Sequence, residues 1–244
     1  LSRTKNLEEW LVWQSRVEPF LIPQKDADLI NEFLTKIVPV DLLKTEPPPV
    51  KKKTLAYNPD EIYDLETLHA AIEGCLNCRL STSRNRIVFG EGNKEARLMF
   101  IGEGPGHDED MTGRPFVGKA GILLTKIIEN GLKIERSSVY IANIVKCRPP
   151  DNRDPLPDEA ETCIGYLKKQ IDLVKPEVIV LLGRVAAKHL LNIEESITKA
   201  RENSYNYKGI PVLVTYHPSA LLRNEKYKRP VWEDMKKVIK ILDI

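Results

Sequence analysis

The chain has 244 residues, which is enough for one well-buried α/β core with a small appendage and too few for two full-sized domains. With 42% hydrophobic and 30% charged residues it falls outside the disordered class, and no apolar run approaches the roughly 18 residues of a membrane span. The 37 Lys and Arg against 35 Asp and Glu leave a formal charge of +2, which excludes nucleic-acid binding through bulk charge but permits a local basic face.

From the start, Leu1 opens no segment that reads as a signal or transit peptide. Leu7, Trp10, Leu11, Val17, Phe20 and Leu21 form a rough helical stripe that Pro23 breaks. Asp26 can cap a second helix with Leu29, Ile30, Phe33, Leu34 and Ile37 on one face. Two such short helices cannot bury both stripes alone, so residues 1–45 read as an extension that packs on the main domain or on a partner protein. Glu46-Pro47-Pro48-Pro49-Val50-Lys51-Lys52-Lys53 begins a semi-rigid charged linker over 46–58, and the main domain is expected over 59–244.

Strands and helices then alternate. Strands are expected over 97–102, 139–145, 177–182 and 210–215, with helices over 118–130, 158–174, 184–191 and 231–242. This alternation means βαβ units and a parallel sheet. In such sheets ligands sit beyond the carboxyl ends of the strands, where the unusual sequences GEGPG, NIVKCRPP and TYHPS fall.

The four cysteines are too few for a disulfide scaffold. Cys75 and Cys78 form C-x2-C, which puts two thiols on one tight turn, and Cys147 and Cys163 are separated by fifteen residues. Four thiolates suit zinc or an iron–sulfur cluster, and spacing alone does not choose between them. The glycine-rich stretch from Gly102 to Gly106 is followed by His107, Asp108, Glu109 and Asp110. It lacks the Gly-Lys-Ser/Thr of a phosphate loop, and its acids would repel a phosphate. Carboxylates at the mouth of a cleft point instead to water activation or cation stabilisation.

Taken in order, GEGPG-H-DED, GRPFVGKAG, NIVKCRPP and YHPSALLR, with this cysteine frame, resemble the family 4 uracil-DNA glycosylases over about 61–244. The resemblance implies a three-layer α/β/α sandwich with a short four-stranded parallel sheet. It implies a structural [4Fe–4S] cluster on Cys75, Cys78, Cys147 and Cys163. It also implies hydrolysis of the deoxyuridine N-glycosidic bond in DNA, and a cytoplasmic, nucleoid-associated monomer.

The target base must be flipped out of the helix and held by its face and edge. By the resemblance Phe116 stacks on the uracil, and Asn143 reads its edge by donating to O4 and accepting from N3–H. His217 matches the histidine beside uracil O2, where an imidazole donor stabilises charge collecting on the departing base; His107 is the weaker competitor. Glu103 is the first choice for positioning the attacking water. Gly104 stands where family 1 enzymes carry an Asp, so the water is handled otherwise here. Glu109 is the second candidate, and it also walls the pocket near uracil C5, where Gly106 offers no bulk. Asp110 is read as loop support. Ser219, Leu221 and Arg223 match a minor-groove wedge, with Leu221 filling the hole left by the base and Arg223 holding backbone. Arg79, Arg84, Arg86, Arg148, Arg153, Lys226, Lys228 and Arg229 suggest a modest phosphate-contacting face.

The resemblance thus points to a monofunctional repair glycosylase acting on uracil-containing DNA. It would need no nicotinamide, ATP or divalent metal, and would form no Schiff base. Relatives that trap uracil-DNA covalently carry a nucleophilic His after the second motif; 147–155 contains none. The alternative is an accessory DNA-binding subunit that keeps the fold and docks through its N-terminal helices.

Overall fold

The computed structural model describes residues 61–244. The N-terminal helices and the linker expected over 1–45 and 46–58 lie outside the described residues. Helix α1 (Leu65–Ile72) begins at Asp64, whose carboxylate accepts the Thr67 N–H at 2.7 Å. Strands β1 (Glu91–Gly92) and β2 (Leu98–Gly102) follow. Next come α2 (His107–Thr112) and α3 (Lys119–Lys126), which runs on as a π turn over Ile127–Leu132. The chain continues through β3 (Tyr140–Asn143), α4 (Pro157–Val174), β4 (Val178–Leu182) and α5 (Arg184–Leu191). It ends with α6 (Ile197–Ala200), β5 (Tyr205–Tyr207), β6 (Ile210–Thr215), α7 (Pro218–Arg223) and α8 (Lys228–Leu242).

The strands pair in the order β1-β3-β2-β4-β6-β5. The inner four are parallel, in register Gly102↔Asn143 and Leu182↔Thr215 at their carboxyl ends. The short four-stranded sheet expected from the resemblance is therefore the interior of a six-stranded mixed sheet, because β1 and β5 add antiparallel edges. These edge strands span two and three residues and bury no residue fully, so they lack the apolar run that marks the inner strands.

Side chains of the inner strands alternate between two cores. Leu98, Phe100, Val178, Val180 and Leu182 face α3, α7 and α8 through Leu124, Leu221, Val231, Met235 and Val238. Met99, Ile101, Ile179 and Leu181 face α1, α4 and α5 through Leu68, Ile72, Tyr166, Ile171 and Ala186. Every residue of β2 and β4 is buried, as expected of strands covered on both faces. Among the described residues no helix is long and apolar enough to cross a membrane.

Helix α4 shows how local chemistry sets an element. Pro157 occupies its first turn, where no N–H is needed, and Glu159 accepts the Leu156 N–H at 2.8 Å. Ala160, Cys163, Tyr166, Leu167, Gln170, Ile171 and Val174 then form one buried stripe, which carries Cys163 and Gln170 under the sheet.

Candidate active site

The parallel register delivers three strand ends to one place. Past the labelled ends of β2 and β3 the ladder continues, with Ile144 N–H on the Gly102 carbonyl at 3.0 Å and Val145 N–H on that of Glu103 at 3.1 Å. This holds Glu103 alongside Asn143. On the other side Gly183 N–H bonds the Thr215 carbonyl at 2.8 Å and sets the course of Tyr216 and His217. A cavity of about 550 Å³ opens between them. It collects Glu103, Gly104, Gly106, Glu109, Phe116, Asn143, His217, Ser219 and Arg223, all singled out from the sequence. It is placed where α/β sheets bind ligands.

Phe116 is 6% exposed and holds φ at 52°, a left-handed conformation that costs a non-glycine residue energy. Two glycines make room for it. A Cβ on Gly121 would lie 1.9 Å from the Phe116 carbonyl, and one on Gly102 would lie 2.5 Å from both the Phe116 ring and Asn143 Oδ1. Arg136 secures the preceding residue by donating to the Pro115 carbonyl at 2.8 Å and to Glu91 at 2.7 Å. The Phe116 ring then stands 5.6 Å from the His217 ring, tilted by 36°.

His217 Nδ1 accepts the Ser219 N–H at 3.2 Å and lies 2.9 Å from the Ser219 hydroxyl. Its proton in the neutral form is therefore on Nε2. Burial, with a smaller push from the Arg223 cation, lowers its pKa to about 4. The ring is thus a neutral N–H donor near pH 7. Asn143 is 2% exposed, and its Oδ1 is buried without a hydrogen-bond partner. An orphan acceptor of this kind costs about 1–3 kcal/mol unless something fills it.

Glu103 is pushed up to about 7, first by burial and then by Asp154, whose carboxyl shares a hydrogen bond with it; Arg184 pulls the other way. Arg184 in turn donates to Asp154 at 3.1 Å. Asp154 and Arg184 both line the cavity, and reading the sequence singled out neither for the site. Only the fold brings them to Glu103, since they follow different strands.

Several expected roles change. Leu221, expected as the wedge, is 2% exposed and packs in the core, because the one-turn helix α7 rotates it inward; Leu222 beside it is 52% exposed. Ser219, expected against DNA, lines the cavity and bonds His217 Nδ1 through its N–H, with its hydroxyl 2.9 Å from the same nitrogen. Glu109, the second candidate for handling water, has both oxygens on backbone: Oε1 accepts from Val117 and Gly118 at 2.9 Å, and Oε2 from Gly106 at 3.1 Å. It lines the cavity as the brace of the Phe116 loop. Asp110 holds Asn85 and Arg86, the expected loop support. His107 is exposed beside Arg148 and does not line the cavity.

The uracil DNA glycosylase superfamily model matches residues 89–236. The chain belongs to the uracil DNA glycosylase superfamily. It is 46% identical over 182 residues to the Type-4 uracil-DNA glycosylase of Sulfurisphaera tokodaii, covering 71% of this chain and 83% of that protein. It is 46% identical over 178 residues to that of Thermotoga maritima, covering 71% and 92% respectively. It is 44% identical over 183 residues to that of Saccharolobus solfataricus, covering 72% and 85%.

In this superfamily member all four cysteines line one small cavity together with Ile72, Arg84, Lys146 and Tyr166. Their sulfurs already meet donors: Lys146 N–H to Cys163 Sγ and an Arg84 N–H to Cys147 Sγ, each at 3.3 Å, with Tyr166 Oη 3.3 Å from Cys75 Sγ. Burial pushes the Cys147 thiol up to about 11 and that of Cys163 up to about 12. Such thiols ionise only with a strong positive centre beside them. Among the described residues no group of three or more Cys, His, Asp or Glu side chains is placed to hold a metal ion. The cysteines surround a space instead of meeting at a point. Part of the expected basic face is also spent internally: Arg153 forks onto Glu159 at 2.7 and 2.8 Å, and Arg79 bonds Asp158 at 2.7 Å.

Proposed function

We propose that this chain is a monofunctional uracil-DNA glycosylase of DNA repair, which binds a uracil extruded from DNA and hydrolyses its N-glycosidic bond to leave an abasic site. The observation that carries the reading is the unpaired, buried Oδ1 of Asn143 in a cavity shared with Phe116 and a neutral His217. Uracil N3–H fills that acceptor, and the amide N–H meets uracil O4. Cytosine has an acceptor at N3 and a donor at C4, so it leaves both Asn143 groups unpaired.

Phe116 stacks on the base, and His217 Nε2–H points its dipole at O2, where negative charge gathers as the bond breaks. A neutral donor suits this step because it stabilises the anion without surrendering a proton. Glu103 in its ionised form orients water toward the sugar carbon, whose charge becomes oxocarbenium-like. Burial first, and then Asp154 and Arg184 in opposite senses, set the fraction of Glu103 that is ionised. Leu222, exposed beside Arg223, replaces Leu221 as the apolar side chain free to enter the helix.

Cys75, Cys78, Cys147 and Cys163 would hold a [4Fe–4S] cluster. The donor set fits: four thiols border one cavity, and N–H groups already point at two of the sulfurs. Such a cluster would be structural, tying residues 75–78 to Cys147 past the end of β3 and to Cys163 in α4.

The test is release of free uracil from an oligonucleotide carrying one uracil. Release that leaves an alkali-labile, uncut strand is expected, and no release by folded, cluster-loaded protein overturns the reading.

A further inference from the structure

Lys146 is the only Lys or Arg among the described residues that is buried, at 1% exposure. Among them no carboxylate lies within ion-pair distance of it, and the reaction described above does not use it. Its ammonium donates to two neutral oxygens, the Asn143 backbone carbonyl at 2.9 Å and Gln170 Oε1 at 2.6 Å. Gln170 is itself locked, with Nε2 on the Phe89 carbonyl at 2.9 Å and on Tyr140 Oη at 3.1 Å. The Lys146 main chain is held at both polar groups, by Cys163 Sγ and by the Val88 N–H at 2.8 Å.

The topology explains why a donor is needed there. Ile144 N–H points to β2, so the Asn143 carbonyl in the same peptide points the opposite way, toward the β1 edge. Strand β1 pairs only with Tyr140 and Ile141 and stops short of Asn143. That carbonyl therefore has no strand to bond, and the Lys146 ammonium takes the place of the missing N–H.

We infer that Lys146 is a positioning residue: it couples the cysteine frame to the main chain of Asn143 and so fixes where the base-reading amide sits. The inference rests on the reading of Asn143 as the uracil-recognising residue. It gives the cysteine frame, on the opposite side of β3's end from the cavity, a route to specificity through one side chain. Removing the ammonium frees the peptide that carries the amide, while Phe116, His217 and the surfaces that meet DNA backbone keep their own supports.

The experiment compares the cluster-loaded full chain with K146M, which keeps the length and apolar stem of the side chain. Single-turnover excision from a one-uracil oligonucleotide is expected to slow about tenfold or more, and the free uracil concentration giving half inhibition to rise by a similar factor. Binding to an oligonucleotide bearing an abasic site, and visible absorbance per chain, are expected to stay unchanged. Amide exchange at Ile144 and Val145 is expected to quicken, with the rest of β3 still protected. Gln170→Met, which removes the other acceptor of the ammonium together with the bonds to the Phe89 carbonyl and Tyr140 Oη, is expected to move excision and uracil inhibition the same way by less, and carries the test if K146M does not fold. Wild-type excision and uracil inhibition in the folded variants overturn the inference. So does a loss of rate that merely follows a loss of absorbance, since Lys146 would then serve only to retain the cluster. Failure of the wild-type chain to release uracil is a different result, and it removes the underlying reading itself.

Discussion

Replacing Asp154 by Asn removes the carboxylate that hydrogen-bonds Glu103 while leaving the buried surroundings and Arg184 in place. In the wild-type chain Glu103 titrates at about 7. If its ionised form orients the water, the single-turnover rate one pH unit below that value is about a tenth of the plateau, and one unit above it about nine-tenths. His217, with its pKa lowered to about 4, adds no second limb near neutrality. In Asp154→Asn the acid limb moves to lower pH, because both contributions of Asp154 raise the Glu103 pKa; burial keeps it above the ordinary 4.5. Glu103→Gln abolishes the limb and lowers the plateau by roughly 10²–10⁴-fold, the usual worth of a positioned acid–base group. The assay is excision with enzyme in excess over a one-uracil oligonucleotide across the neutral range. A limb unmoved in Asp154→Asn, or still present in Glu103→Gln, refutes the assignment. Stability gives a second check with a definite sign. Between about 4.5 and 7 the native chain holds a proton on Glu103 that the unfolded chain releases, so this residue makes stability fall as the pH rises through that window. His217 acts in the opposite sense between about 4 and 6.5, where its contribution is lost as the pH falls. The Glu103 slope therefore appears as the difference between the wild-type chain and Glu103→Gln.

Asn143→Asp keeps an acceptor for N3–H but loses the donor to O4. Uracil excision should fall about 5- to 150-fold, matching roughly 1–3 kcal/mol, and the ratio of uracil to cytosine excision should fall with it. Leu221→Ala should cost about 2–5 kcal/mol in denaturant unfolding, whereas Leu222→Ala should cost under about 0.5 kcal/mol yet slow excision from duplex more than from single-stranded DNA. Equal effects of the two leucine changes on excision would return the wedge role to Leu221. Gly121→Ala places a Cβ where the Phe116 carbonyl stands, so α3 and the Phe116 loop must part; KM for uracil-DNA and half inhibition by free uracil should both rise.

What could be read in advance follows the range of the physics involved. The inner strands were legible because residues such as Val178–Leu182 are apolar on both faces, a pattern that forces burial. The glycine-rich turn, the Asn and the His were legible because each sits at the carboxyl end of such a strand. The burial of Leu221 beside an exposed Leu222 is not legible in the sequence, because the short helix that starts at Pro218 after the His217 cap decides which of two adjacent leucines faces the core. Asp154 and Arg184 escaped notice because each is an ordinary charged residue in its own segment. They acquire meaning only when the order β2-β4 sets the loop after β4 beside the loop after β2.

Lys146 is the sharpest case, since a lysine between a strand and a cysteine reads as a surface cation or a ligand's neighbour. Its burial follows from the early end of β1, which leaves one carbonyl of the base-reading peptide without a partner. The Lys146 side chain reaches back to that carbonyl from the residue next to Cys147. The cavity's own groups near Asn143 and Phe116 are arranged in a different way. Glu109 is saturated by backbone N–H groups, His217 is neutral, and Glu103 is close to half-protonated near pH 7. A pyrimidine leaving as an anion then meets oriented dipoles on its own edge, and the one ionisable carboxyl with a shifted pKa in the cavity is left for the sugar side of the bond.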